Sequence, residues 1–553
     1  MACSKIFLGD LPELTNGIIQ YLHHDYKTLY SCILVNRLWC HSAIPLLWEN
    51  PFSNKFLKNY HFIEIYLHNL NDDDKIKLNE YGINNDLIPS NTLFNYPSFI
   101  QHFTTRKFNN SIRNWEITIN QHSNYTIQSS NFIKFIYKSL FLIFIENEVN
   151  LYSLKVSLFT DEEREYFVDT LELILQNQNF FNNIKILKLV SISAETLLKF
   201  SKILNSNCNS ISSLYLKFLY QYCFEFPYNT NNQMMKSSLS QIINSQKNLK
   251  KILLNFNGFP LYNSLLSLKN SNCLNTLNTI IFYCISFKNI IVLLNEAFNQ
   301  LNVLESVHII FCSYLNTEFI QQFINITKPF KLKSLFLNKV LQIESLELLI
   351  QIFGNNIEDF GIKKIDESQQ LLQLLGLVIT YCYKIKFLYL SFWLNSQNIN
   401  LIFNLIENIK QNLKYLFIEI SDFSSVYLSS ILLLNLGQIL PFKLEYLNLN
   451  LVIDRNALEA FLKNSQNTFI KKLLIFNRSM KKGEDIFPCI KEYIMKKKRV
   501  KYLAISDNFY ENSDLSLLED KVNESKLYDV QLLNYFSLNI NIENFIFNDD
   551  NVQ

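Results

Sequence analysis

Leu444-Glu445-Tyr446-Leu447-Asn448-Leu449 decides the fold: an apolar residue, two variable ones, a second apolar residue, one variable, then a third apolar residue. The last two apolar positions alternate with their neighbours as in a short strand, so they enter one face while the residues between them enter the other. The same pattern continues C-terminally at Ile470-Leu473-Ile475, Val500-Leu503-Ile505 and Leu527-Val530-Leu532. Toward the N terminus it returns at Leu413-Leu416-Ile418, Ile385-Leu388-Leu390, Ile357-Phe360-Ile362, Leu332-Leu335-Leu337, Leu304-Val307-Ile309, Leu277-Ile280-Phe282, Leu249-Ile252-Leu254, Ile211-Leu214-Leu216 and Ile184-Leu187-Leu189. Successive starts lie mostly about 25 to 31 residues apart, the scale of a stacked repeat. Between them, Ala194 to Leu204, Glu344 to Phe353, Ile399 to Ile409 and Asn456 to Lys463 carry apolar residues three or four apart and are expected to be helices. Thr160 and Glu163 have the spacing of a capping box for a helix running to about Leu175. Ile112-Trp115-Ile117 and Leu151-Leu154-Val156 are expected to be the first strands of the array.

That motif at that period resembles the leucine-rich repeat. The resemblance implies an α/β solenoid over residues 111–535, a horseshoe with parallel strands on its concave face.

A different pattern opens the chain: Leu11-Pro12-Glu13-Leu14, then Ile18, Leu22, Leu29, Cys32, Leu34-Val35-Asn36, Trp39 and Trp48. Pro12 suits the first turn of a helix, where its missing N–H costs nothing, and Leu14, Ile18 and Leu22 recur every fourth residue. A second stretch begins near Lys27. Asn36 can cap a third that carries Trp39, Ile44, Leu47 and Trp48, which Pro45 is expected to kink or end. About forty residues bury too little surface to be very stable alone, so apolar groups left over here point to a docking surface. The alternative is an ordinary helical cap on a larger domain. Residues 8–52 resemble the F-box, a three-helix module, and by that resemblance Leu11, Pro12, Leu14, Ile18, Leu22, Leu34, Val35 and Trp39 would contact a Skp-type adaptor and, through it, a cullin. Residues 53–110 are expected to connect the two parts, with a polar stretch from Asn69 to Asn91 that is either a fungal-type F-box connector or a plain solvated loop. Residues 536–553 are expected to be a tail.

Composition excludes several classes. Apolar residues make up 48% of the 553-residue chain and aromatics 14%, so it folds, and a net charge of +2 with both signs interspersed gives no field favouring nucleic acid or an anionic membrane. Ten scattered cysteines without a CxxC pair, and no secretory signal, point to reduced thiols inside the cell, in the cytoplasm or nucleus. The apolar run Phe423 to Phe442 reads better as repeat than as a membrane span. Lys496-Lys497-Lys498-Arg499 could serve nuclear import, yet it also ends an expected helix, where positive charge complements the helix dipole.

Signs of chemistry are sparse. The nine glycines form no phosphate loop, and no GxSxG, HExxH or Ser/Lys signature occurs, so no enzyme and no cofactor are expected. His23, His24, Cys32, Cys40 and His41 fit no zinc spacing, and no metal is expected. His308 reads as a contact or solvated residue, and Glu305, Asp359, Glu419 and Glu445 as dispersed, solvated carboxylates. The residues between the apolar strand positions are more informative: Phe336, Phe387, Tyr389, Tyr415, Phe417, Tyr446 and Tyr502 fall in an outward-facing row able to meet a target protein. Alternatively the register slips by one and they are core.

The function expected from these resemblances is a substrate-recognition subunit of a Skp/cullin/F-box ubiquitin ligase, non-catalytic itself, with the repeat array binding an unknown protein target. The alternative is an F-box/leucine-rich-repeat scaffold without a ligase role.

Overall fold

Each copy of the motif forms a strand. In the computed structural model, residues 12–23, 25–53, 60–83, 87–120, 129–218, 228–256, 267–268, 271–289, 291–338, 343–363, 368–392, 397–420, 426–478, 485–507 and 514–548 are described. The fold is mixed α/β and divides into two units, residues 1–252 with 259–277, and residues 253–258 with 278–553.

In the first unit, helices α1 (Pro12–Tyr21), α2 (Tyr26–Cys32) and α3 (Arg37–Trp48) precede strands β1 (His102–Thr104), β2 (Ser153–Ser157), β3 (Ile186–Val190) and β4 (Ser213–Phe218). These strands pair in chain order, all parallel. Strand β5 (Lys251–Phe256) spans the division. The second unit holds β6 (Thr279–Tyr283), β7 (Ser306–Ile310), β8 (Lys331–Leu337), β9 (Asp359–Lys363), β10 (Phe387–Phe392), β11 (Tyr415–Ile420), β12 (Lys443–Leu451), β13 (Phe469–Asn477), β14 (Val500–Asp507) and β15 (Gln531–Leu532), again parallel and in chain order. Their register aligns the motif: Leu388, Leu416, Leu447, Leu473 and Leu503 form one buried row, and Leu390, Ile418, Leu449, Ile475 and Ile505 the next.

The expected helices Ala194–Asn207, Ile343–Phe353, Asn398–Ile409 and Arg455–Asn464 are present. The capping box is complete: Thr160 Oγ1 accepts from Glu163 N at 3.1 Å, and Glu163 Oε2 accepts from Thr160 N at 3.3 Å. Asparagines tie neighbouring repeats together, with Asn408 Nδ2 donating to Ile379 O and Asn412 Nδ2 to Tyr383 O.

Several expectations are corrected or narrowed. Ile112-Trp115-Ile117 is not a strand: Phe108, Ile112, Trp115 and Ile119, spaced four, three and four apart, are the buried face of helix Thr105–Asn120, and Ile117 is exposed. The first strand is instead β1, inside the segment expected to be a connector. Much of the polar stretch is helix, because Asn71 caps Asp72–Glu80 and three aspartates fill its positive first turn. Pro45 does not end α3, which runs on to Trp48. Within the expected tail, Leu538, Ile540 and Phe545 pack on the strands, as described below.

Within residues 53–110, backbone hydrogen bonds tie the end of α3 to the array. Glu49 O, one residue past α3, accepts from both Gln101 N and His102 N, at 2.9 and 3.0 Å. That two-amide clamp then repeats along the array: Gln101 O receives Tyr152 N and Ser153 N, and Tyr152 O receives Lys185 N and Ile186 N. The third helix therefore supplies the carbonyl that a preceding strand would. Rings reinforce the joint, with Trp48 4.3 Å from Tyr96 and Phe52 4.9 Å from Phe108.

Among the described residues, no helix is long and apolar enough to cross a membrane; Phe423–Phe442 contributes the 14-residue helix Val426–Ile439. The described cysteines are free thiols, and burial pushes Cys208 up to about 11 and Cys312 and Cys382 up to about 12.

Candidate functional site

Two surfaces carry the expected site residues, one in each unit. In the first, Ile19, Leu29, Cys32, Ala43 and Leu46 form the core of α1–α3, with Leu22, Ile33, Trp39 and Leu47 packed against it. Helix α1 turns Thr15 and Ile19 inward, so Leu14 (54% exposed) and Ile18 stay outside together with Tyr21. In the turn between α2 and α3, Leu34 (79% exposed) and Val35 also face solvent. Asn36 fixes that turn: its Oδ1 accepts from Trp39 N at 3.0 Å, capping α3 as the sequence indicated. The exposed set is thus Pro12, Leu14, Ile18, Leu34 and Val35, to which the structure adds Tyr21 and Tyr30. Leu22 and Trp39 serve mainly as core, and Leu11 lies outside the described residues. His23 Nε2 meets Glu49 Oε1 at 2.6 Å and joins the end of α1 to the end of α3. Burial raises the Glu49 carboxyl despite that contact.

In the second unit the aromatic row has the expected phase. Phe387, Tyr415, Tyr446 and Tyr502 lie on one ladder, with Lys472 between the last two. Phe336, Gly361, Tyr389, Phe417 and Asn448 form the neighbouring ladder. The register does not slip, since the core leucines alternate with these residues. What differs is exposure. Phe336 and Tyr446 are 0% exposed and Phe387 2%; Tyr389 and Phe417 are buried, while Tyr415 and Tyr502 are partly so. A row expected to be open to a target is covered.

Part of the cover is ring on ring: Tyr389 stacks on Phe417 at 4.4 Å, and Phe387 on Tyr415 at 5.9 Å. The rest is the C-terminal segment. Phe545 lies 4.9 Å from both Phe387 and Tyr415, and Tyr535 joins Tyr446, Leu474 and Ala504 in one buried cluster that Leu538 and Ile540 flank. Asn448 links the strand face to it, accepting from Tyr535 Oη at 3.0 Å and donating to Asn539 Oδ1 at 3.1 Å. Ile540 N donates to Tyr446 Oη at 3.3 Å. Burial pushes the Tyr446 phenol up to about 12. The only sequence signal for this role was the aromatic content of Tyr535-Phe536 and Phe545-Ile546-Phe547, which does not stand out in so aromatic a chain.

Three carboxylates read as solvated are engaged, Glu445 by a 3.1 Å ion pair with Lys471. Glu419 pairs with Arg478 and accepts from Ser391 Oγ at 2.8 Å, while Arg478 also donates to Asn450 Oδ1 and Ile420 O, both at 2.7 Å. Asp359 accepts from Ser334 Oγ at 2.6 Å, and Ser334 meets His308 Nδ1 at 2.7 Å. These three residues come from adjacent strands and are all buried. A nucleophilic serine gives its proton to histidine and must be reachable by substrate. Here the Ser334 proton goes to Asp359 and its side chain is sealed, so the trio cross-links β7, β8 and β9. Arg499, from the basic run, is buried and donates to carbonyls of Leu462, Ser465 and Thr468, while Lys496 and Lys498 pair with Glu492 and Asp529. No group of three or more His, Cys, Asp or Glu among the described residues is placed to hold a metal.

No family model and no curated protein matches the chain.

Proposed function

We propose that this protein is the substrate-recognition subunit of a Skp/cullin/F-box type ubiquitin ligase. In this reading residues 8–52 are an F-box, the parallel array is a leucine-rich-repeat horseshoe, and no bond chemistry takes place on the chain. The observation that carries it is the set of apolar side chains left in water on α1 and the α2–α3 turn. Leu14, Ile18, Leu34 and Val35 are exposed although a core is available to them next door, and apolar groups grouped this way mark a surface made for a partner. Four of the eight positions that the F-box resemblance assigns to the adaptor are these residues. The array supports the second half of the reading, because parallel strands with a shared register offer a long recognition face. Catalysis then comes from proximity: a target held on the array meets a ubiquitin-charged enzyme at high effective concentration.

Copurification tests the reading. The full chain should bring down a Skp-type adaptor together with a cullin. Recovery of the adaptor without any cullin would overturn the ligase assignment.

A further inference from the structure

We propose that the face of β10–β14 is a peptide-binding site which residues 534–547 fill in cis, and that its outside ligand is a segment of low charge and the same chemistry. That chemistry is two aromatic rings ten positions apart with an asparagine between them, as in Tyr535, Asn539 and Phe545. The proposal deepens the recognition role given above to the array and rests on that reading.

Three features argue for a ligand in place and against one more repeat. First, the segment adds nothing to the strand ladder after β15, whose Leu533 N still bonds Leu503 O. It leaves as two short helical turns, Tyr535–Leu538 and Ile542–Phe547, and crosses back over strands 31 to 158 residues earlier in the chain, from Ala504 to Phe387. Second, its contacts divide as in a recognition site. Rings supply area at Phe545 and Tyr535, and a fully buried amide supplies specificity at Asn448. Both ends of that amide are matched, one by the Tyr535 hydroxyl and one by the Asn539 carbonyl. A ligand lacking them would leave Asn448 Oδ1 without its Tyr535 partner, while Nδ2 would keep only Tyr446 Oη, to which it donates at 3.1 Å. Third, charge is sparse on both sides: Glu543 is the segment's one charged residue, and on the strand face Glu419 is answered by Arg478 while Lys472 lies on the ladder of Tyr446 and Tyr502. A segment of low charge suits it, and a strongly charged one does not.

Tethering fixes the competition. A segment linked to its site acts at an effective concentration of about millimolar, so an outside peptide of equal intrinsic affinity loses unless the cis copy opens locally. Two short helical turns belong to the class of elements that open without global unfolding.

The test uses the full chain. Hydrogen exchange on the unmodified protein should show amides of 534–547 exchanging at least 100-fold faster than those of β10–β13. Exchange of both only together would mean a permanent cover and would overturn the proposal. A fluorescein-labelled synthetic peptide of residues 534–548 should bind the Tyr535→Ala/Phe545→Ala chain saturably and at least ten-fold more tightly than it binds the unmodified chain. An Asn539→Ala peptide should bind at least ten-fold more weakly. Absence of saturable binding to the folded variant also overturns the proposal. If the double variant does not fold, the Phe545→Ala chain takes its place under the same criteria. Adaptor copurification should be the same for all these chains, so failure here is separable from failure of the ligase reading.

Discussion

Gly361 shows how little room the aromatic face leaves. It stands between Phe336 and Tyr389 in register, and a Cβ there would sit 2.3 Å from Phe336 Cδ1 and 3.1 Å from Tyr389 Cβ. Gly361→Ala should therefore cost about 1–3 kcal/mol by overpacking, measured by chemical denaturation, although alanine ordinarily stabilises a strand relative to glycine. Unchanged stability would mean that the rings are not held as described. Glu49 gives a second prediction, about pH. Its carboxyl is raised above the ordinary 4.5, first by burial, with His23 opposing. Ionising it in the fold is thus harder than in the unfolded chain, so its favourable contribution is complete below 4.5 and is lost as pH rises through the raised value. Glu49→Gln should melt higher than the unmodified protein at neutral pH, with the difference shrinking to nothing in acid. A variant that melts lower at neutral pH would show that the His23 contact dominates. Neither residue was legible beforehand: nothing in the sequence singled out Glu49, and Gly361 is one of nine scattered glycines, because close approach is a property of neighbours that sequence does not name.

Helices and strands were legible wherever period and boundary agreed. The Thr160–Glu163 box and the Asn36 cap are local chemistry between residues three apart, so reading and structure coincide. Segment 105–120 misled because Ile112-Trp115-Ile117 also fits the strand motif, and only the longer spacing through Phe108 and Ile119 reveals a helix. Strand β1 offered three residues and one core side chain, too little to detect. Within α1–α3, Trp39, which the F-box resemblance assigns to the adaptor, is partly buried and packs on the core. Trp39→Ala should accordingly lower the stability of the three helices by about 3 kcal/mol, while Leu14→Asp, at an exposed position, should leave melting within about 0.5 kcal/mol. Equal losses in both, read by thermal melting, would contradict the division into core and docking surface.

Across the whole chain, periodicity carried the most information. Thirteen motif copies from Ile184 to Leu527, with Leu151-Leu154-Val156 ahead of them, marked the strands that now pair in chain order within each unit, and the aromatic row alternates with their core leucines. Its cover was not legible, since contacts such as Tyr535 with Asn448 span 87 residues and no local rule links them. The joint at Glu49 was hidden for a similar reason: a backbone carbonyl repeats the clamp of the array without any side-chain signature.

The most direct test of the account is the affinity of a purified Skp-type adaptor for the full chain and for its Leu14→Asp/Val35→Asp variant. The account predicts saturable binding to the unmodified chain and at least a 100-fold loss in the variant, with its melting temperature unchanged. No binding to either, or equal binding to both, would contradict it.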